Sequence, residues 1–231
     1  MRKKENIVFL SGLLCTEMVW EEVAKELEDN FNVSIISFKG CDSIEMMANK
    51  VLNTAPKKFI LIGHSMGGRV ALEVFKTEPK RVLKLGLFNT GVHPKSEAEL
   101  IVRRKLLDLA KTKGIKAVGK QWLPPMLSEE SLKNSLLLNK LEKMILSYSV
   151  DEFLKQIGAL INRPDSQSIL STVDISTLLL SATEDKWSSI LQHEKMQDFL
   201  KDSTLSVIEN ASHMAPVEQP KLVAKAIINF L

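Results

Sequence analysis

Six short apolar runs recur along the chain, each bounded by Gly, Ser or Asn: Ile7–Leu10, Val33–Ile36, Phe59–Ile62, Leu83–Phe88, Leu178–Leu180 and Thr204–Ile208. None keeps a strict apolar–polar alternation. Runs of this kind read as strands buried on both faces, the environment of a parallel sheet sandwiched between helices. Helical patterns lie between them. Trp20, Val23, Ala24 and Leu27 fall at i, i+3, i+4 and i+7, and Val70, Ala71, Val74 and Phe75 repeat the stripe after the third run. Pro220 suits a first helical turn, with Leu222, Val223, Ala226, Ile227 and Phe230 on the inward face. Strand and helix alternating in this way predict an α/β fold with right-handed crossovers.

The alternation stops between Val92 and about Thr172. That stretch holds helical patterns at Ala98–Lys113, Ile115–Leu123, Ser128–Tyr148 and Val150–Ile161, interrupted by Pro124-Pro125 and Arg163-Pro164. The expected organisation is a core of residues 1–91 and 172–231, with 92–171 inserted as an all-helical cap over one edge of the sheet. A chain of 231 residues fits one such domain.

Composition narrows the function classes. A formal charge of +3 is too weak to imply a nucleic-acid partner. Two cysteines, Cys15 and Cys41, are too few for a disulfide framework and fit free thiols in a reducing compartment. No apolar run approaches the roughly 18 residues that span a bilayer. Met1-Arg2-Lys3-Lys4 followed by apolar residues and Cys15 superficially resembles a lipoprotein signal. Bulky Leu14 stands where a processing site wants a small residue, and the stretch is better read as the first core strand. The expectation is a mature, cytoplasmic protein.

The strongest local signal is Gly63-His64-Ser65-Met66-Gly67-Gly68, a G-x-S-x-G motif directly between an expected strand and an expected helix. Glycines two residues either side of Ser65 permit a sharp, strained turn that lifts the hydroxyl above the strand ends. The free N–H groups of the helix start favour developing negative charge there.

A serine hydroxyl needs a base, and four histidines compete. His64 lies inside the turn, with packing as its expected role. His93 and His193 fall in polar surroundings and read as surface groups. His213 directly follows the last strand, where an α/β sheet gathers its site residues. The base in turn needs an acid to orient it. Asp185 and Glu184 both follow the preceding strand closely, falling between serine and histidine in chain order. The loop after Leu83–Phe88 offers Asn89 and Thr90 but no carboxylate. Backbone N–H groups of Met66 and Leu13, the latter beside Gly12 in the loop after the first strand, are the candidate oxyanion donors. No His, Cys or carboxylate cluster has metal-ligand spacing, so no cofactor is expected.

These segments resemble the α/β-hydrolases, in particular small bacterial esterase-like members with a helical cap. The elbow at Gly63–Gly68 matches, as does Ala211-Ser212-His213-Met214-Ala215-Pro216-Val217-Glu218-Gln219-Pro220, and Ser11-Gly12-Leu13 with Trp20 is similar to the oxyanion loop. The family pattern selects Asp185 over Glu184 and implies a Ser65–Asp185–His213 triad. The cap, with Arg103-Arg104-Lys105 and Arg163-Pro164-Asp165-Ser166, is similar to that of carrier-protein methyl ester esterases and enol-lactonases. Two departures stand out: Ser11-Gly12 replaces the family's His-Gly, and Asp185 is followed by Lys186-Trp187-Ser188-Ser189 rather than the usual Asp-x-x-x-Pro. The hairpin that often precedes the first strand has no counterpart before Ile7, so a six-stranded, all-parallel sheet is expected.

In the cap, Leu100, Ile101, Leu106, Leu107, Leu137, Leu138 and Ile145 either line an apolar acyl pocket or hold the helices together. Between Ile101 and Lys120 there are seven basic residues against one acid, Asp108, either a solvated face or a dock for an acidic partner such as a carrier protein. Trp187 either lines the entrance or packs on the cap. Arg163 either binds a substrate carboxylate, pairs with Asp165 or caps a helix end. The expected activity is serine-dependent hydrolysis of a small-molecule carboxylic ester or thioester, a carrier-bound acyl group being one form. The same residues could instead cleave a C–C bond or eliminate from a carbonyl substrate, or sit idle in a ligand-binding protein. A serine at the elbow argues against the relatives whose aspartate nucleophile opens epoxides or removes halides.

Overall fold

A computed structural model describes residues 4–231; the Met1-Arg2-Lys3 part of the basic stretch lies outside them. Six strands form a single sheet: β1 (Glu5–Leu10), β2 (Phe31–Ile36), β3 (Phe59–His64), β4 (Val82–Phe88), β5 (Thr177–Ala182) and β6 (Ser203–Ile208). Their order is β2-β1-β3-β4-β5-β6 and every neighbouring pair is parallel, which is the expected α/β-hydrolase sheet. Central β3 and β5 are buried at every residue. The edge strands differ from the expectation of burial on both faces: β2 and β6 keep partly exposed positions, because each pairs on one side only.

Helices α1 (Glu21–Lys25), α2 (Ile44–Thr54), α3 (Met66–Thr77), α8 (Ile190–Gln197), α9 (Ala215–Glu218) and α10 (Pro220–Phe230) accompany the strands. Trp20 anchors the layer under β1. It is fully buried, stacks on Phe9 at 4.3 Å between ring centroids, and donates Nε1–H to the Leu10 carbonyl at 3.2 Å. A fully buried side chain of this kind contributes about 1.5–3 kcal/mol of hydrophobic stabilisation. Strand order reverses direction beside β1, since β2 lies to one side and β3 to the other. The carboxyl ends of β1 and β3 therefore flank the crevice where open α/β sheets bind ligands.

Between β4 and β5 the described residues form no strand. This segment holds α4 (Glu97–Trp122), α5 (Ser135–Leu146), α6 (Val150–Ile161) and α7 (Gln167–Leu170). In α4 the helix breaks at Gly114, whose φ of 77° and ψ of 176° separate the two expected patterns. The helix expected over Ser128–Tyr148 is shorter: a 3₁₀ turn at Ser131–Lys133 leads to Asn134, which caps α5 by accepting the Leu137 N–H. Ser149 and Glu152 form a reciprocal capping box at the start of α6. No described helix is long and apolar enough to cross a membrane.

Candidate active site

Ser65 stands between β3 and α3 with φ 55° and ψ −117°, a conformation that costs a non-glycine residue about 1–3 kcal/mol. Its surroundings hold it there. The Ser65 N–H donates to the Phe88 carbonyl at 2.9 Å, and its carbonyl accepts from Gly68 N–H at 3.0 Å and Thr90 Oγ1 at 2.7 Å. The two outer glycines of the motif are where backbones meet. A Cβ on Gly63 would strike the Gly67 carbonyl, and one on Gly67 would strike the Leu10 carbonyl at the end of β1.

The loops after β5 and β6 bring the other two residues to the hydroxyl. His213 Nε2 lies 2.8 Å from Ser65 Oγ, and its Nδ1 lies 3.0 Å from Asp185 Oδ2 and 3.2 Å from Oδ1. With Nδ1–H donating to the carboxylate, Nε2 is free to accept the hydroxyl proton. Asp185 and His213 are buried, and Ser65 is partly so. Burial alone would raise the Asp185 pKa. It is outweighed by His213 and by bonds from Ser188 N–H and Asn89, which hold the carboxyl well below the usual range. Glu184 is elsewhere, its Oε2 accepting the Glu129 N–H.

The departure after Asp185 has a local explanation. Asp185 Oδ1 accepts the N–H groups of Trp187 and Ser188 at 2.8 and 2.9 Å, a side-chain turn that closes the loop. Ser189, in place of the family's proline, caps α8 through the Gln192 N–H. The histidine loop is likewise braced: Glu218 accepts Ser212 N–H at 2.8 Å and Ser128 N–H at 2.7 Å.

Two site residues carried little signal in the sequence. Asn89, at φ 46°, donates Nδ2–H to Asp185 Oδ2 at 2.9 Å and to the Ser212 carbonyl at 3.3 Å. His193 is fully buried rather than on the surface. Its Nδ1–H donates to Ser189 O at 3.0 Å and its Nε2 accepts Thr90 N–H at 3.4 Å, so it ties α8 to the Asn89–Thr90 loop. His64 is buried as expected, with Nε2–H donating to the His213 carbonyl at 2.6 Å; His93 is exposed.

His64 and His193 are both held neutral. Burial, then the neighbouring His213, push His64 down to about 3, and burial lowers His193. Each folded pKa lies below the unfolded value near 6.5, so the unfolded chain takes up protons first. The stability they contribute is present above that pH and is lost as pH falls below it. Urea-unfolding free energy should drop by about 1 kcal/mol between pH 6.5 and 5.5 from His64, with His193 adding in the same direction. In His193→Gln the drop should be smaller. A wild-type profile that is flat across this window contradicts the assignment.

A cavity of about 390 Å³ opens above Ser65. Leu13 and Met66 line it, and among the described residues neither of their N–H groups has a protein acceptor. Of the apolar residues singled out in the inserted helices, Leu106 lines the cavity. Ile145 instead packs on Gly119, and Ile101 is 50% exposed. Trp187 lines the rim and stays 41% exposed. Arg163 is not in the wall and does not pair with Asp165. Its guanidinium grips Glu99 with NH1 and NH2 at 2.8 and 2.7 Å and caps α6 through the Leu160 carbonyl. Arg103 joins the same carboxylate at 2.7 Å. Burial opposes ionisation of Glu99, but the two arginines hold it down to about 2. Arg103 and Arg69 do line the cavity.

Comparison with known proteins bears on the fold and the family. A sequence model of the alpha/beta hydrolase fold matches residues 41–220. A Bacillus subtilis protein provisionally named 2-succinyl-6-hydroxy-2,4-cyclohexadiene-1-carboxylate synthase is 29% identical over 183 residues, 75% of this chain and 66% of that protein. The pimeloyl-[acyl-carrier protein] methyl ester esterase of Citrobacter koseri is 34% identical over 88 residues, 35% of this chain and 34% of the esterase. These matches thus span 66% and 34% of the relatives' own lengths. Among solved structures, a thermophilic esterase from Thermogutta terrifontis, with malate bound, superposes with a TM-score of 0.87 at 26% identity, covering 98% of this chain and 89% of the esterase. The chain belongs to the α/β-hydrolase family.

Proposed function

We propose that the protein hydrolyses a carboxylic ester or thioester through an acyl-enzyme on Ser65. The observation that carries this reading is the unbroken line of bonds from Asp185 through His213 to Ser65 Oγ. Ser65 Oγ attacks the substrate carbonyl as its proton passes to His213 Nε2, while Asp185 stabilises the imidazolium. The Leu13 and Met66 N–H groups receive the negative charge on the carbonyl oxygen. His213 then protonates the leaving alcohol or thiol, and water, deprotonated by the same nitrogen, releases the acid. Residues 92–171 act as a cap that excludes water and shapes the acyl site. A fluorophosphonate should label Ser65 stoichiometrically, and no label on the wild type, or equal label on Ser65→Ala, rejects the reading.

Arg69 and Arg103 in the cavity wall favour a substrate that carries an anionic group. Burial, then Arg163, lower the Arg69 pKa to about 9, the mark of a cation short of counter-charge. Arg103 and Arg163 bond the Glu99 carboxylate while Arg69, whose guanidinium donates to the His93 carbonyl, has no ion pair among the described residues, and a bound anion would supply one. The same feature, with the Bacillus relative, favours a second reading in which His213 acts mainly as a base in elimination or C–C cleavage. Ester and diketone substrates assayed side by side separate the two.

A carrier-bound acyl substrate would meet the exposed basic side of α4. Arg104, Lys105, Lys111, Lys113, Lys116 and Lys120 are exposed there, whereas Arg103 turns inward to Glu99. Arg104→Glu with Lys105→Glu and Lys111→Glu should lower kcat/KM on a carrier-linked ester by about tenfold. Turnover of the free methyl ester should be unchanged, and equal losses on both would remove the docking idea.

A further inference from the structure

The loop after β1 closes in a tight turn, with Cys15 N–H donating to the Gly12 carbonyl at 3.3 Å. A trans peptide points its C=O and N–H in opposite directions, so anchoring the Gly12 carbonyl turns the Leu13 N–H away from the turn's interior. Leu14 occupies the third position at φ 56°, where glycine or asparagine is the usual choice. Such a turn relaxes by rotating its central peptide, the one joining Leu13 to Leu14. Here that peptide is held on both sides. Leu14 N–H donates to Gln156 Oε1 at 2.9 Å, and the Leu13 carbonyl accepts from the Cys15 thiol at 3.3 Å.

Gln156 comes from α6, 142 residues away, and is fully buried. Its amide cannot turn over, because Nε2 donates to the Phe38 carbonyl at 3.1 Å and leaves Oε1 facing Leu14. Phe153, Ile157 and Leu160 are buried on the same helix, so the amide interrupts an apolar stripe. The family's histidine in this loop is replaced by Ser11, whose hydroxyl reaches only as far as the Thr16 carbonyl at 3.0 Å. The long-range brace on the central peptide of the turn therefore comes from α6.

We propose that Gln156 is a positioning residue for the reaction. By fixing the Leu13–Leu14 peptide it keeps the Leu13 N–H directed at the oxyanion. This rests on the reading of Ser65 as the acylated nucleophile. Gln156→Met removes the acceptor and should lower kcat for p-nitrophenyl acetate by about 30-fold, with KM within about twofold. Affinity for a boronic acid that mimics the tetrahedral adduct should fall by the same factor. Gln156→Glu, protonated in this buried site at pH 6, keeps both bonds and should stay within about threefold of wild type. Tyr148→Phe removes the 2.7 Å bond to the Cys15 carbonyl but leaves the central peptide held, and should also stay within about threefold.

A folded Gln156→Met enzyme with near-wild-type kcat overturns the proposal, as does a Tyr148→Phe loss as large as that of Gln156→Met. If Gln156→Met does not fold, Gln156→Asn carries the test: one methylene shorter, its amide does not reach both Leu14 N–H and the Phe38 carbonyl, and its kcat must fall by about tenfold with KM unchanged. A folded Gln156→Asn enzyme with wild-type kcat refutes the proposal. A wild type that forms no Ser65 adduct fails the acyl-enzyme reading instead, and the labelling experiment detects that separately.

Discussion

Ser65→Ala should lower kcat on a p-nitrophenyl ester by about 10⁵-fold and leave the melting temperature close to that of wild type. The size follows from cooperation within the bonded line. Among the described residues His213 Nε2 bonds no hydroxyl but Ser65 Oγ, so removing Oγ should remove the attack itself, and losses of this order follow removal of a single member of such a unit. What remains, about 10³-fold over water, is the share of the oxyanion donors and substrate binding. Stability is spared because alanine has the same backbone strain as serine at φ 55°, and only one partly buried hydroxyl is lost. A matched His213→Gln enzyme should fall by a similar factor, and the double variant by little more than either single one. Multiplying losses would mean that the two residues act independently, contrary to their 2.8 Å contact. Retention of more than about 1% of activity in Ser65→Ala would remove the nucleophile assignment.

The residues with the strongest sequence signal are those whose roles follow from chain position. Apolar runs mark strands because burial on both faces demands them. The elbow is legible because Gly63 and Gly67 are forced by backbone contact, and Ser65 by the turn they make. His213 follows because loops at the carboxyl ends of strands converge, whereas position alone leaves Asp185 and Glu184 equal and only the family resemblance separates them. Residues that act through contacts distant in sequence were not legible in this way. Asn89 reaches Asp185 across 96 residues, and its own loop shows nothing in sequence beyond the lack of a carboxylate. His193 sits among polar neighbours that face solvent while its own ring faces the core, so local polarity pointed to the surface. Arg163 had a nearer acid in Asp165, yet its partner is Glu99, 64 residues away, because α4 and α6 pack together. One such residue did leave a trace. Gln156 breaks an otherwise apolar helical stripe, and a buried amide in that position has to find partners.

Gly63→Ala should be strongly destabilising, because the three atoms nearest its added methyl are all backbone and the first lies closer than at Gly67. The added Cβ would press on the Gly67 carbonyl and lie 2.6 Å from the Gly68 nitrogen. Neither neighbour can yield cheaply. Gly63 is registered against Leu10 of β1 on one side and Leu87 of β4 on the other, so β3 cannot move without breaking both ladders. On the other side, α3 is wedged against β1, since a Cβ on Gly67 would in turn meet the Leu10 carbonyl carbon at 2.8 Å. Overpacking that side chains absorb costs about 1–3 kcal/mol; with rigid backbone on both sides the cost should exceed about 3 kcal/mol, a large share of the stability of an ordinary domain, and lower the melting temperature by at least about 6 °C. Gly158→Ala in α6 supplies the opposite sign. Nothing lies within 4 Å of its Cβ, so the gain in helix propensity should raise stability by about 0.5–1 kcal/mol. Urea or thermal melts of the two variants separate close approach from a general intolerance of alanine. If Gly63→Ala melts within a few degrees of wild type, the elbow has room that the contacts deny, and the strained conformation of Ser65 must be held by its bonds to Phe88, Gly68 and Thr90 alone.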